Sequence, residues 1–115
     1  MLIAIERRKP RATAVHEWLL EERIPVRVPW AVVAEFWRGR TDRRQAILAS
    51  VDIEAPTVRL AMSAGEALAA VKKATIVDAI VMASAAMRGD VVYTSDLEDL
   101  GILQRHFPAV RLLAI

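Results

Sequence analysis

No cysteine occurs among the 115 residues, so disulfides and thiolate metal sites are excluded and a reducing compartment is the natural expectation. There are only two histidines, His16 and His106, far apart on expected helices. That argues against a zinc site and for surface or packing roles. The four glycines are scattered, so no glycine-rich loop is available to cradle a phosphate. No G-x-S-x-G nucleophile turn is present either. No uncharged apolar run reaches the roughly 18 residues of a membrane span, because Asp78 interrupts the best candidate. The opening apolar residues precede Glu6-Arg7-Arg8-Lys9, the reverse of a signal peptide's charge order. A cytoplasmic protein is expected.

What remains is enough for one compact domain with a real core. A hydrophobic content of 55% with 26% charged residues is that of a globular chain, not a disordered one. The formal net charge is only +2, but the basic residues are unevenly spread. Arg7, Arg8, Lys9 and Arg11 gather near the start, and Arg38, Arg40, Arg43 and Arg44 gather farther on. Guanidinium groups suit phosphates, so nucleic acid is one partner class; solvated helix ends are the plainer reading.

Strands and helices alternate. Pro10 to Arg23 carries a helical period, and Ile24–Val28 is short and β-branched. Pro29 suits the first position of a helix reaching Arg38, which Gly39 stops. Thr41 can cap a helix from Asp42 to Ser50, and Val51–Glu54 reads as a second strand. Pro56 opens an alanine-rich helix to about Lys73, and Thr75 can cap the next. After Arg88-Gly89-Asp90 come a strand at Val91–Thr94, a helix over about Leu97–His106 and a closing strand at Val110–Ile115. This order predicts an α/β fold with a parallel sheet, whose ligand crevice lies beyond the carboxyl ends of the strands.

Three acids stand out against apolar scaffolding. Asp78 lies within Ala74–Met87, Glu35 within Val32-Val-Ala-Glu-Phe-Trp37, and Asp96 directly after Val91–Ser95. An isolated carboxylate in apolar surroundings calls for a partner. An all-oxygen donor set suits Mg²⁺ or Mn²⁺, which can activate water and neutralise charge on a phosphodiester. Each acid also has a plain explanation. Asp78 favours the positive end of its helix, Glu35 suits an exposed place between core positions, and Ser95 with Glu98 makes an S-x-x-E capping box. Trp18, Trp30 and Trp37 suit core or interface anchoring. Trp30, Phe36 and Trp37 crowd one helix, which could serve a dimer or another partner.

The segments Pro29-Trp-Ala-Val-Val-Ala-Glu-Phe-Trp-Arg-Gly39, Asp78-Ala-Ile-Val-Met-Ala-Ser-Ala-Ala86 and Tyr93-Thr-Ser-Asp96 occur in order. Together they resemble the PIN-domain ribonucleases of the VapC toxin type, and the likeness spans nearly the whole chain. The resemblance implies a three-layer α/β/α PIN-like domain with a short parallel sheet and Mg²⁺- or Mn²⁺-dependent cleavage of RNA. By motif, Glu35, Asp78 and Asp96 resemble three metal-holding acids of the family's quartet. Thr94 resembles the hydroxyl that orders the site, and Asp99 an auxiliary acid. Arg38 and Arg40 would hold the RNA backbone. A small cognate antitoxin and a homodimer are the partners implied. The family's first strand and its terminal aspartate have no counterpart here, because the match begins at Leu2-Ile3-Ala4. A single domain lacking its N-terminal strand is therefore expected, with impaired activity; the alternative is a non-catalytic module that binds antitoxin or RNA.

Overall fold

A computed structural model describes all residues, Met1–Ile115, as an α/β protein with seven helices and four short strands in two compact units. The first unit comprises Met1–Glu54 with Ile115, and the second Ala55–Ala114.

In the first unit α1 (Leu2–Glu6) and α2 (Pro10–Glu21) are followed by β1 (Arg27–Pro29), α3 (Trp30–Phe36), α4 (Asp42–Ala49) and β2 (Asp52–Glu54). Leu2, Ala4, Ile5, Ala12, Val28, Phe36 and Ile47 form its core, with Val26, Val32, Val33 and Ile115 packed against them. Strands β1 and β2 run parallel with Val28 opposite Ile53. Pro29 is the last residue of β1 and the N-cap of α3, one position earlier than the helix start expected for it. A proline without an N–H is least costly where a ladder ends.

Helices α1 and α2 both end on an arginine in the left-handed region, Arg8 at φ 56° and Arg23 at φ 55°. After α1, Lys9 N–H reaches Ala4 O and Arg8 N–H reaches Ile5 O, both at 3.0 Å. After α2, Ile24 and Arg23 make the equivalent bonds to Leu19 and Leu20. These paired bonds satisfy terminal carbonyls that would otherwise be left open.

Two of the clustered arginines serve the same helix end. Arg43 donates from Nη2 to Ile5 O at 2.6 Å and from Nε to Glu6 O at 3.0 Å. Arg44 pairs with the Glu6 carboxylate at 2.8 Å and donates to Gly39 O. These guanidiniums tie α4 to α1, which removes them from the set of free phosphate binders. Replacing Arg43 by Met should therefore cost about 1–3 kcal/mol of unfolding free energy, measured by urea titration. A loss below about 0.5 kcal/mol would mean that water satisfies those carbonyls equally well.

The second unit begins with α5 (Val58–Ala70) and α6 (Ile76–Arg88), an antiparallel pair with small facing residues. Ala67, Ala79, Met82 and Ala83 are fully buried, as close helix approach requires. Thr57 accepts from Leu60 N–H and so caps α5, displacing the start expected at Pro56. A side-chain acceptor for a free N–H outweighs a proline that merely tolerates the position. Gly89, at φ 69°, closes α6 in the left-handed conformation that favours glycine. Strand β3 (Val91–Thr94) then leads through α7 (Leu97–Gln104) to β4 (Arg111–Ala114), which pairs parallel to β3. Leu100, Leu103, Phe107 and Val110 fill the space beneath this crossover.

Parallel pairing is thus borne out, but as two two-stranded sheets, β1–β2 and β3–β4. Each pair is closed by its own helical crossover, the connection that parallel strands need. No helix is long and apolar enough to cross a membrane.

Candidate functional site

The acids of the second unit gather where β3 ends. Thr94, the last residue of the strand, is buried, and its Oγ1 accepts from Asp96 N–H at 2.9 Å. This bond sets the turn that hands the chain from strand to helix. Asp96 is then the N-cap of α7, its Oδ1 accepting from Asp99 N–H at 3.2 Å. The S-x-x-E box expected from Ser95 and Glu98 does not form. The cap lies one residue later, because the Thr94 turn brings the Asp96 carboxylate over the first free N–H groups.

Asp78 occupies the third position of α6, capped by Thr75, whose Oγ1 accepts from Asp78 N–H at 3.2 Å. Burial raises the Asp78 carboxyl above its ordinary pKa. The Thr75 side chain, hydrogen-bonded to that carboxylate, opposes the shift, and the negative charge of Asp96 adds to it. Asp99 is raised too, first by a side-chain hydrogen bond with Asp96, then by the charges of Asp96, Asp78 and Glu98. Asp78, Asp96 and Asp99 therefore share one electrostatic neighbourhood, with Thr94 and Thr75 fixing the backbone beneath. Three of the expected acids, Asp78, Asp96 and Asp99, are thus brought together within a single unit.

Glu35 belongs to the first unit, exposed at the sixth position of the seven-residue α3. At 1.5 Å rise per residue it stands on the order of 8 Å beyond the end of β1, not at the strand end itself. Arg38 and Arg40 are exposed in the loop that follows; Arg40 makes only a loose surface contact with Asp42 at 3.9 Å. Trp30 and Trp37 are half-buried, and Phe36 is 2% exposed. The α3 aromatics were expected as a partner surface, but Phe36 is spent on the core.

No group of three or more His, Asp or Glu side chains is disposed to hold a metal ion together. A closed carboxylate cage is thus not what this chain supplies. Mg²⁺ asks for less, usually one or two carboxylates completed by water and substrate phosphate. Asp78 and Asp96 are the carboxylates of the second unit that could supply such ligands. After burial at Asp78 and a side-chain hydrogen bond at Asp99, the charge of Asp96 adds to both raised pKa values, and a divalent cation relieves repulsion of that kind.

Sequence reasoning missed one polar arrangement nearby. Arg88 donates to the buried Ser84 Oγ at 2.7 Å and pairs with Asp90 at 2.8 Å. It braces the end of α6 on the turn into β3. The i, i+4 spacing of Ser84 and Arg88 on one helix was the available signal. His16, on α2, shares a hydrogen bond of 2.9 Å with Ser50 Oγ, which itself donates to Ile47 O. His106 stacks edge-on against Phe107. His16 is half-buried and His106 lies at the surface.

No family model, curated protein or solved structure matches this chain.

Proposed function

We propose that this chain is a Mg²⁺- or Mn²⁺-dependent endoribonuclease of the PIN-domain toxin type. The observation that carries the reading is the shared neighbourhood of Asp78, Asp96 and Asp99 beyond the carboxyl end of β3. Parallel α/β units use that edge for ligands. The ordered resemblance of three sequence segments to the VapC-type ribonucleases supplies the reaction class.

Asp96 and Asp78 would hold the cation. When bound, the ion supplies a water of lowered pKa and positive charge beside the phosphodiester. The remaining work falls to the chain. Thr94 and the α7 cap hold Asp96 in one orientation, so its carboxylate needs no reordering during reaction. Asp99 is held against Asp96 and has a raised affinity for protons. It would accept the proton of the attacking water as the P–O bond to the leaving oxygen breaks. Arg38 and Arg40, both exposed, would hold the RNA backbone. A small antitoxin would silence the site.

Cleavage of a structured RNA by the purified chain tests this. Cutting is expected with Mg²⁺ or Mn²⁺ and should vanish with EDTA; cutting that persists in EDTA would overturn the metal-dependent mechanism. A second reading, a non-catalytic module that binds RNA or antitoxin, is favoured by the lack of any three-sided metal group. Full RNA affinity without cleavage in either metal would establish it.

A further inference from the structure

Helix α1 runs out into a basic stretch interrupted by Pro10 alone. Arg7, Arg8, Lys9 and Arg11 are all exposed, and none forms an ion pair within the chain. The acid beside them, Glu6, is already held by Arg44 at 2.8 Å. Support of helix ends accounts for half of the stretch. Arg7 and Arg8 stand at the C-terminal end of α1, where the dipole favours cations. Lys9 and Arg11 stand at the start of α2, whose first turn carries no acid. Cations are disfavoured there, so these two charges work against their own helix.

The fold joins this stretch to the second basic cluster. Arg44 donates from Nε to Glu6 Oε1 at 2.8 Å and from Nη1 to Gly39 O at 3.0 Å. One guanidinium thus spans the end of α1 and the loop after α3. Arg7 follows Glu6, and Arg38 and Arg40 flank Gly39. Two clusters far apart in sequence therefore lie side by side within the first unit. The acids among them, Glu6 and Asp42, already have arginine partners, so the positive charge of the rest is left over.

The make-up of this surface says what it takes. Neither residues 7–11 nor residues 38–41 include a large apolar side chain. Interfaces with proteins are built round an apolar core, whereas those with nucleic acids are polar and strongly positive. Apart from Lys9, the exposed cations here are arginines, whose planar forks match pairs of phosphate oxygens. A phosphodiester backbone fits such a surface better than an acidic peptide does.

We infer that Arg7, Arg8, Lys9 and Arg11, set beside Arg38 and Arg40 by the Glu6–Arg44–Gly39 clamp, form a track for the backbone of a nucleic acid strand. The stretch at residues 7–11 is its anchoring part and uses no residue of the acid cluster. That the strand is RNA rests on the proposed function; the track itself does not.

Fluorescence anisotropy of the full chain with a labelled single-stranded RNA of about 20 nucleotides tests it, in EDTA so that no metal-dependent cutting intervenes. The parent should bind, with log affinity falling linearly against log salt. Replacing Arg7, Arg8, Lys9 and Arg11 together by Gln should weaken binding about 100-fold at about 100 mM salt. It should also flatten the salt slope by about 3, since each contact to a single strand contributes about 0.7. Helical circular dichroism should not change, because all four side chains are exposed. Replacing the exposed Arg59, Lys72, Lys73 and Arg105 by Gln removes the same charge from the second unit. That variant should lose less than about threefold, because it gives up net charge and no contact. Equal losses in the two variants, or no binding by the parent, overturn the track. Single-stranded DNA of the same sequence should bind within about tenfold of RNA, as backbone contacts carry no base information. A preference above about 100-fold for either strand overturns backbone reading. Displacement of the RNA by poly-glutamate as effectively as by unlabelled RNA overturns it too, and assigns the surface to acidic protein segments. Binding that follows these rules in a chain that never cuts RNA with Mg²⁺ supports the track and overturns the nuclease reading alone.

Discussion

Asp96→Asn is expected to lower RNA cleavage by about 10²- to 10⁴-fold while leaving the unfolding midpoint close to that of the parent chain. Asp96 has two duties that substitution can separate. As the N-cap of α7 it accepts from Asp99 N–H through Oδ1, and an asparagine amide oxygen can accept the same bond. As an acid it carries the negative charge that raises Asp99 and adds to the raising of Asp78. Asparagine keeps the first duty and removes the second. Asp96→Ala removes both, so it should lose the same activity and in addition about 0.5–2 kcal/mol of stability. Equal cleavage by parent and Asp96→Asn, with a stability loss in Asp96→Ala alone, would reduce Asp96 to a helix cap. Asp99 offers a companion readout. Its proton affinity is raised chiefly by Asp96, so its titration, followed by carboxyl NMR, should move down toward the ordinary range in Asp96→Asn.

How much of this was legible beforehand depended on the distance along the chain over which each feature is decided. Strand β3 and the Thr75 cap were read correctly, because the β-branched run and the threonine before an apolar helix are local signals. The starts of α3 and α5 moved because Pro29 and Pro56 competed with a strand end and with Thr57, and proline permits a helix start without enforcing one. Ser95 lost to Asp96 for a similar reason, since the hydroxyl of Thr94 fixed the turn one residue later. Arg43 and Arg44 were misread most. Their acceptors lie 37 or 38 residues away at the end of α1, and nothing in a charge cluster distinguishes a phosphate clamp from a helix-end clamp. Which strands would share a ladder was equally remote from any local pattern. The acids followed the same division. Asp78 and Asp96 were recognisable as isolated carboxylates on apolar scaffolding, whereas Asp99 came only from the family resemblance. Glu35 was singled out by its apolar neighbours, and its place near the far end of α3 was outside what those neighbours could convey.

Asp78→Asn should move activity and stability in opposite directions. The Asp78 carboxyl has its pKa raised above 3.8, mainly by burial, with Thr75 opposing and Asp96 reinforcing. A carboxyl that binds its proton more readily in the folded chain favours folding while it is protonated. That contribution is fully present below the unfolded pKa and is lost as pH rises through the folded one. At neutral pH the ionised side chain therefore works against the fold, and the amide does not. The urea midpoint of Asp78→Asn relative to the parent should rise as pH increases from about 4, and level off once the parent's carboxyl is fully ionised. Added Mg²⁺ should stabilise the parent and leave the variant nearly unchanged, since stabilisation by a ligand requires the site that binds it. Cleavage by the variant should fall by about 10²-fold or more, because a neutral amide can neither accept a proton nor hold a hard cation well. A carboxylate serving only the dipole of α6 would give the reverse stability result: its removal would weaken the helix start by about 0.3–1 kcal/mol at neutral pH. Loss of stability with unchanged cleavage would assign Asp78 to that helix-terminal role and remove it from the reaction. A gain or neutral change in stability together with lost cleavage is the signature of an acid kept at some cost to the fold for what it does to substrate.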